Sequence, residues 1–187
     1  VDFIAKYSHH KPLNSADLSE LNGLTLLSIA RHLGCPSYRL PGLYLKGRQR
    51  MEKVVASLKP YRGIDNALDK LHAQGNELFI VSNNSVKNIR NFLTRHGMLE
   101  YFVEVYGGIE LFGKSPVLQD LLGEHSLDKE QTLCVGDQVQ DVKAAQSVGL
   151  KCVAVTWGFG KKSDLESAKP TRLAESPEDL ITILEEL

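Results

Sequence analysis

The sequence predicts an α/β fold: a Rossmann-like parallel sheet preceded by a small helical segment. Three observations lead there. From residue 59 onward, short apolar runs alternate with amphipathic stretches of helical period. Glycines stand where those helices should stop, at Gly75, Gly97 and Gly149. Residues 1–58, by contrast, carry only helical periodicity. Strands that alternate with helices require right-handed crossovers and a sheet covered on both faces.

The helical segment comes first. Val1, Ile4 and Ala5 share a face, and His9-His10-Lys11-Pro12 ends the run. Asn14 caps a short helix and Asn22-Gly23 breaks it. Thr25 caps the next, whose Leu26, Leu27, Ala30 and Leu33 lead to Gly34. Pro36 and Pro41 mark a connector. Met51, Val54, Val55 and Leu58 then form an apolar stripe, with Lys46, Arg50 and Lys53 on the other side. Those three cations form a solvated helix face or attract an anionic substrate. In the second region, Ile64, Leu68 and Leu71 predict a helix ending near Gly75. Strands follow over Glu77–Val81, Phe102–Tyr106, Thr132–Val135 and Lys151–Thr156. Helices are predicted over Val86–His96, Pro116–His125, Val139–Val148 and Pro177–Leu187.

Composition narrows the function classes. The 187 residues are 42% hydrophobic and 24% charged, enough to bury a core. Lys+Arg is 22 against Asp+Glu 23, a net charge of -1, so nothing favours nucleic acid or an anionic membrane as partner. No run reaches the ~18 apolar residues of a membrane helix, and no signal-peptide pattern is present. Cys134 and Cys152 lie in strand-like runs, and Cys35 is left over. Reduced core thiols in a cytoplasmic protein account for them better than a metal site.

In open α/β sheets, chemistry collects at the carboxyl ends of the strands. The first core strand ends in Ser82-Asn83-Asn84-Ser85 before a helix, a place that suits an anion. Asn84 and Ser85 also read as ordinary caps, whereas Ser82 sits at the last strand position. The third strand ends in Gly136-Asp137-Gln138-Val139-Gln140-Asp141. Asp137 and Asp141 can face one point, and two hard oxygen donors with a sparse protein shell suit Mg²⁺. The alternative makes both of them caps that answer the helix dipole. Lys114, in Gly113-Lys114-Ser115-Pro116, is placed to neutralise phosphate oxygens, to pair with Asp137 or Asp141, or to lie solvated at the surface. The stretch Gly108–Ser115 also matches the G-x-x-x-x-G-K-[ST] phosphate loop. Its bulky Ile109, Leu111 and Phe112, and Pro116 without an N–H, argue for a buried turn instead. Tyr61 and Trp157 line the cleft or belong to the core.

This ordered set, Ser82-Asn83 after a strand, Lys114 before a helix and Gly136-Asp137-x-x-x-Asp141 after another strand, resembles the haloacid dehalogenase superfamily. The run VGDQVQDVKAAQSVGLKCVAVTWGFG is similar to the fourth motif of its phosphoglycolate-phosphatase-like branch. A phosphorelay receiver domain is excluded by order, because its lysine should follow the Ser/Thr on the last strand. The resemblance covers residues 60–187 and implies a helical cap over 1–58 on a core over 59–187. It implies a Mg²⁺-dependent phosphatase of a small phosphorylated metabolite, acting as a monomer or homodimer. Ser82 and the Asn83 N–H would hold the phosphoryl group, Lys114 would neutralise it, and Asp137 would bind Mg²⁺ with Asp141 as further ligand or support.

One motif of the family is absent. Its first strand ends in Asp-x-Asp-x-Thr, whose first Asp is the nucleophile that forms an aspartyl-phosphate. Asp2 is no substitute, lying in a helical run without a second Asp two residues on. Removing that strand would leave a gap of ~10 Å in the middle of the sheet. The chain also begins with Val1 rather than Met. The expectation is therefore an apolar strand with Asp-x-Asp upstream of Val1. The competing readings are a pseudophosphatase that binds phosphate without turnover, and a P-loop nucleotide-binding protein.

Overall fold

The structure is a computed structural model that describes residue 38, residues 55 and 57–109, and residues 113–187. The helices expected before Val55 lie outside the described residues. The chain divides into two compact units, Val1–Leu58 and Lys59–Leu187.

The second unit runs α1 (Ile64–Ala73), β1 (Leu78–Ser82), α2 (Val86–Arg95), β2 (Phe102–Gly107), α3 (Lys114–Glu124), β3 (Leu133–Gly136), α4 (Val139–Ser147), β4 (Lys151–Val155), α5 (Lys162–Ser167), β5 (Arg172–Ala174) and α6 (Pro177–Glu186). Every strand pair is parallel, as the alternation requires. Among the described residues the strands form two sheets, β1-β2 and β3-β4-β5. Ser82 stands opposite Gly107, and Gly136 opposite Ala154. Helix α3 packs against both β1 and α4, and α4 packs against β3 and β4, so the helices bridge the two sheets.

Burial explains the strand assignments. On one face of β4, Cys152 and Ala154 pack with Val142, Ala145 and Leu165. On the other, Val153 and Val155 pack with Ala174, Leu180 and Ile183. A strand covered on both faces needs an unbroken apolar run, which CVAV supplies. Each fully buried valine, leucine or isoleucine among these contributes roughly 1.5–3 kcal/mol. Ile89, Leu93, Met98 and Val105 make a third cluster on the β1-β2 sheet.

The caps follow the sequence. Ser85 accepts a bond from the Asn88 N–H at 3.3 Å and starts α2, which ends before Gly97 at φ 66°. Ser176 accepts from the Asp179 N–H at 3.1 Å, with Pro177 in the first turn of α6. Helix α3 begins at Lys114 rather than at Pro116. Gly113, at φ 74°, turns the chain into it, and Pro116 costs no hydrogen bond within a first turn. Helix α5 and strand β5 were not expected.

Candidate active site

Ser82, Asp137 and the start of α3 are all set by strand ends and helix starts. Ser82 is the last residue of β1, and its Oγ accepts from the Asn84 N–H at 3.2 Å. The loop that follows is pressed onto the end of β2. The Gly108 N–H donates to the Asn84 carbonyl at 2.8 Å. A Cβ on Gly107 would come within 2.6 Å of that same oxygen and 2.7 Å of the Val86 nitrogen. Only glycine at 107 lets the loop lie so close. Asn84 serves the loop itself, as Oδ1 accepts from the Ser85 N–H at 2.9 Å and from Asn88 Nδ2 at 3.0 Å. Asn83 is exposed.

Lys114, the first residue of α3, pairs with Asp141 in the first turn of α4, Nζ to Oδ1 at 2.5 Å. The side chains are 25% and 8% exposed. Of the options open to Lys114 in the sequence, the structure takes the pair with Asp141. The second Asp141 oxygen, Oδ2, accepts from the Asp137 and Gln138 N–H groups, both at 3.1 Å. Asp141 thus both caps α4 and holds Lys114. A Cβ on Gly136 would lie 2.3 Å from the Asp141 Cβ, so glycine before Asp137 makes room for the carboxylate. An ammonium has three donors, and one bond to Asp141 leaves two for another anion.

Asp137 is gripped by the loop after β4. Its Oδ2 accepts from the Phe159 N–H at 2.8 Å, and its carbonyl accepts from the Gly160 N–H at 2.9 Å. A Cβ on Gly158 would lie 2.2 Å from Asp137 Oδ2, and one on Gly160 would lie 2.3 Å from the Asp137 carbonyl oxygen. Sequence reasoning missed these glycines and Gly107. Their signal was glycine directly beyond a strand end, in Tyr106-Gly107-Gly108 and Trp157-Gly158-Phe159-Gly160.

Lys114, Asp141 and Asp137 are therefore linked, the two aspartates through the Asp137 N–H. Ser82 ends the other sheet, and no hydrogen bond among the described residues joins it to these three. Beneath them, Cys134 and Cys152 stand opposite each other in register, both free thiols. Burial pushes Cys134 up to about 11, with Asp141 adding and Lys114 opposing. Burial likewise pushes Cys152 up to about 12. Such thiols are core groups and not nucleophiles. Cys35 lies outside the described residues.

The phosphate-loop match has different surroundings. The Gly113 N–H donates to the Ile109 carbonyl at 3.1 Å, Ile109 is buried, and the Ser115 Oγ accepts from Ser147 Oγ at 2.9 Å. The Gly113 N–H is thus engaged within the fold rather than offered to a phosphate. Glu110, Leu111 and Phe112 lie outside the described residues.

As a metal site, the pair offers hard carboxylate oxygens, which fit Mg²⁺ and its retained waters. Among the described residues no three His, Cys, Asp or Glu side chains gather to hold an ion. Asp137 has one oxygen without a hydrogen bond among the described residues, whereas both oxygens of Asp141 are bonded. Among the described residues no helix is long and apolar enough to cross a membrane.

A parallel α/β core with a serine and an aspartate at its strand ends, and a lysine and a second aspartate at its helix starts, defines the class. The family model for haloacid dehalogenase-like hydrolases matches residues 2–155, and the chain belongs to that family of enzymes. Phosphoglycolate phosphatase of Synechococcus elongatus is 30% identical over 178 residues, covering 95% of this chain and 84% of the relative. That of Vibrio cholerae is 32% identical over 128 residues, and this chain spans 67% of its own length but only 55% of the relative. The chain is thus a phosphohydrolase of the phosphoglycolate-phosphatase-like kind. A haloacid dehalogenase-like hydrolase from Streptococcus pneumoniae shares the fold at TM-score 0.82 and 20% identity, covering 97% of this chain and 86% of that one. A hydrolase from Pseudomonas syringae does so at TM-score 0.79 and 18% identity, covering 100% and 88%.

Proposed function

We propose that the protein is a Mg²⁺-dependent phosphatase of a small phosphorylated metabolite, with 2-phosphoglycolate the first candidate from the names of its relatives. The observation that carries the reading is Lys114, paired with Asp141 and linked through it to an Asp137 that the β4 loop holds in place. Ser82 Oγ and the Asn83 N–H hold the phosphoryl oxygens. Lys114 uses its remaining donors to neutralise charge as it develops in transfer. Asp137 presents its unbonded oxygen to Mg²⁺. Asp141 fixes the lysine and the Asp137 backbone, a positioning role rather than direct ligation. When bound, Mg²⁺ supplies charge neutralisation to the phosphate oxygens.

The nucleophile in this reading is an aspartate on a strand between β1 and β3, followed two residues later by the acid/base aspartate. The division of the strands into two sheets among the described residues supports this, as does Val135 of β3, 48% exposed in a fold whose next strand, β4, is buried on both faces. Residues 1–58 would be the cap that selects substrate. The test is turnover of 2-phosphoglycolate and of an aryl phosphate against Mg²⁺ concentration in the full-length protein. Asp137→Asn should nearly abolish it while the melting temperature barely moves, since a helix-terminus charge is worth only ~0.3–1 kcal/mol. Unchanged turnover would remove the metal role. Phosphate binding with no turnover in the unaltered protein would establish the pseudophosphatase reading instead.

A further inference from the structure

We infer that Tyr61 is a positioning residue for Asp137, acting through Trp157 and the loop that grips the carboxylate; this deepens the reading of Asp137 given above. Tyr61 lies near the start of the second unit, in a turn closed by the Ile64 N–H on its carbonyl at 3.1 Å. Its side chain is 51% exposed, yet its ring stacks on Trp157 with centroids 5.7 Å apart and planes 27° from parallel. Trp157 also packs against the cluster of Val153, Val155 and Ala174.

The three residues after Trp157 are those that meet Asp137. Gly158 leaves no room for a Cβ beside it, Phe159 donates to its carboxylate, and Gly160 donates to its carbonyl. Trp157, packed on the core cluster, leads directly into this stretch, whose Gly158 and Phe159 are exposed. The indole is its anchor, and the Tyr61 ring is the aromatic surface laid on that anchor. A phenol body is rigid, with two side-chain torsions, and a stacked pair gains beyond its buried area. The hydroxyl is not needed for that role, which distinguishes it from a hydrogen-bonding one.

The test uses the full-length protein with Tyr61→Ala and Tyr61→Phe, and three readouts. Amide exchange at Phe159 and Gly160 reports the grip on Asp137 directly. Emission of Trp157, the only tryptophan in the chain, reports the stack. Calorimetry with Mg²⁺ alone reports the carboxylate's affinity. Tyr61→Ala should accelerate the two amides about two- to tenfold, the span a lost aromatic pair allows, shift the emission, and weaken Mg²⁺ by a similar factor. Tyr61→Phe should restore all three. Unchanged exchange in Tyr61→Ala, or a phenylalanine variant no better than alanine, would overturn the inference. If the unaltered protein takes up no Mg²⁺ while exchange still accelerates in Tyr61→Ala, the metal reading falls and the positioning of Asp137 stands. Should Tyr61→Ala fail to fold, Tyr61→Leu keeps apolar cover without the stacked ring and carries the same comparison.

Discussion

Gly158→Ala is the smallest perturbation that reaches Asp137 without touching it. No positive φ accompanies Gly158, so alanine meets no backbone strain there and the effect is purely one of space. The added Cβ would lie 2.2 Å from both Cβ and Oδ2 of Asp137, against 3.4 Å where ordinary contact begins. Either the loop or the carboxylate must retreat by roughly an ångström. If the loop retreats, the 2.8 Å bond from the Phe159 N–H to Oδ2 is lost. If the carboxylate retreats, it leaves the position in which the Phe159 N–H holds it. Overpacking of this kind costs ~1–3 kcal/mol of stability. A displacement of about 1 Å at a reacting centre costs on the order of 10²-fold in rate. The assay is turnover of an aryl phosphate at saturating Mg²⁺ beside chemical unfolding. Gly123→Ala is the control, a helical glycine with nothing within 4 Å of its would-be Cβ, and it should be neutral or stabilising by up to ~1 kcal/mol. Full activity in Gly158→Ala would refute the argument that the loop's close approach sets Asp137.

Three further outcomes follow from the same contacts. Asp141→Ala leaves Lys114 and two backbone N–H groups without their acceptor and should cost about 2 kcal/mol or more; in a double-mutant cycle with Lys114→Ala, equilibrium unfolding should show coupling of ~0.5–3 kcal/mol. Tyr106 is pushed up to about 12 by burial and by its hydrogen bond to Glu124. A raised acid stabilises the fold below its unfolded value near 10 and loses that contribution as pH climbs toward 12, so Tyr106→Phe should flatten the fall in stability measured by urea unfolding across that interval. With Cys35 replaced by serine, Cys134 and Cys152 should resist a disulfide reagent at pH 8 and react on unfolding, because burial holds both thiols protonated until about 11 and 12.

The strands with long apolar runs were legible because burial on two faces writes itself into consecutive residues, as in CVAV of β4. Boundaries slipped by a residue where a polar group had another task. Thr132 was expected in a strand, but its hydroxyl donates to the Asp128 carbonyl at 2.7 Å and β3 begins after it. Strand β5 has three residues and exists through partners far off in the chain: Thr171 exchanges bonds with Cys152, its N–H donating at 2.8 Å and its Oγ1 accepting at 3.0 Å. Helix α5 buries Leu165 alone, too little for a periodicity. At the site, the placement of Ser82, Lys114, Asp137 and Asp141 at strand ends and helix starts was legible, and Asp141 was among the partners open to Lys114, though the sequence did not choose between it and Asp137. The glycines at 107, 158 and 160 gave only a faint signal because close approach is a property of two segments, and one segment's sequence records only an absent side chain.

The division of the strands has a consequence for how the chain assembles. Within each sheet, neighbouring strands are joined by a single crossover, so Leu78 meets Phe102 across α2 and Leu133 meets Lys151 across α4. Each such pairing closes over a crossover of a dozen residues or more, so it is non-local and slow to form compared with a hairpin. The lysine–aspartate pair belongs to neither half. Lys114 rides on α3, which touches β1, while Asp141 rides on α4, which touches β3 and β4. A chain with both halves formed but undocked would show its full secondary structure and have no such pair. The charged pair therefore requires the two sheets to be docked, and it reports that docking rather than the formation of either.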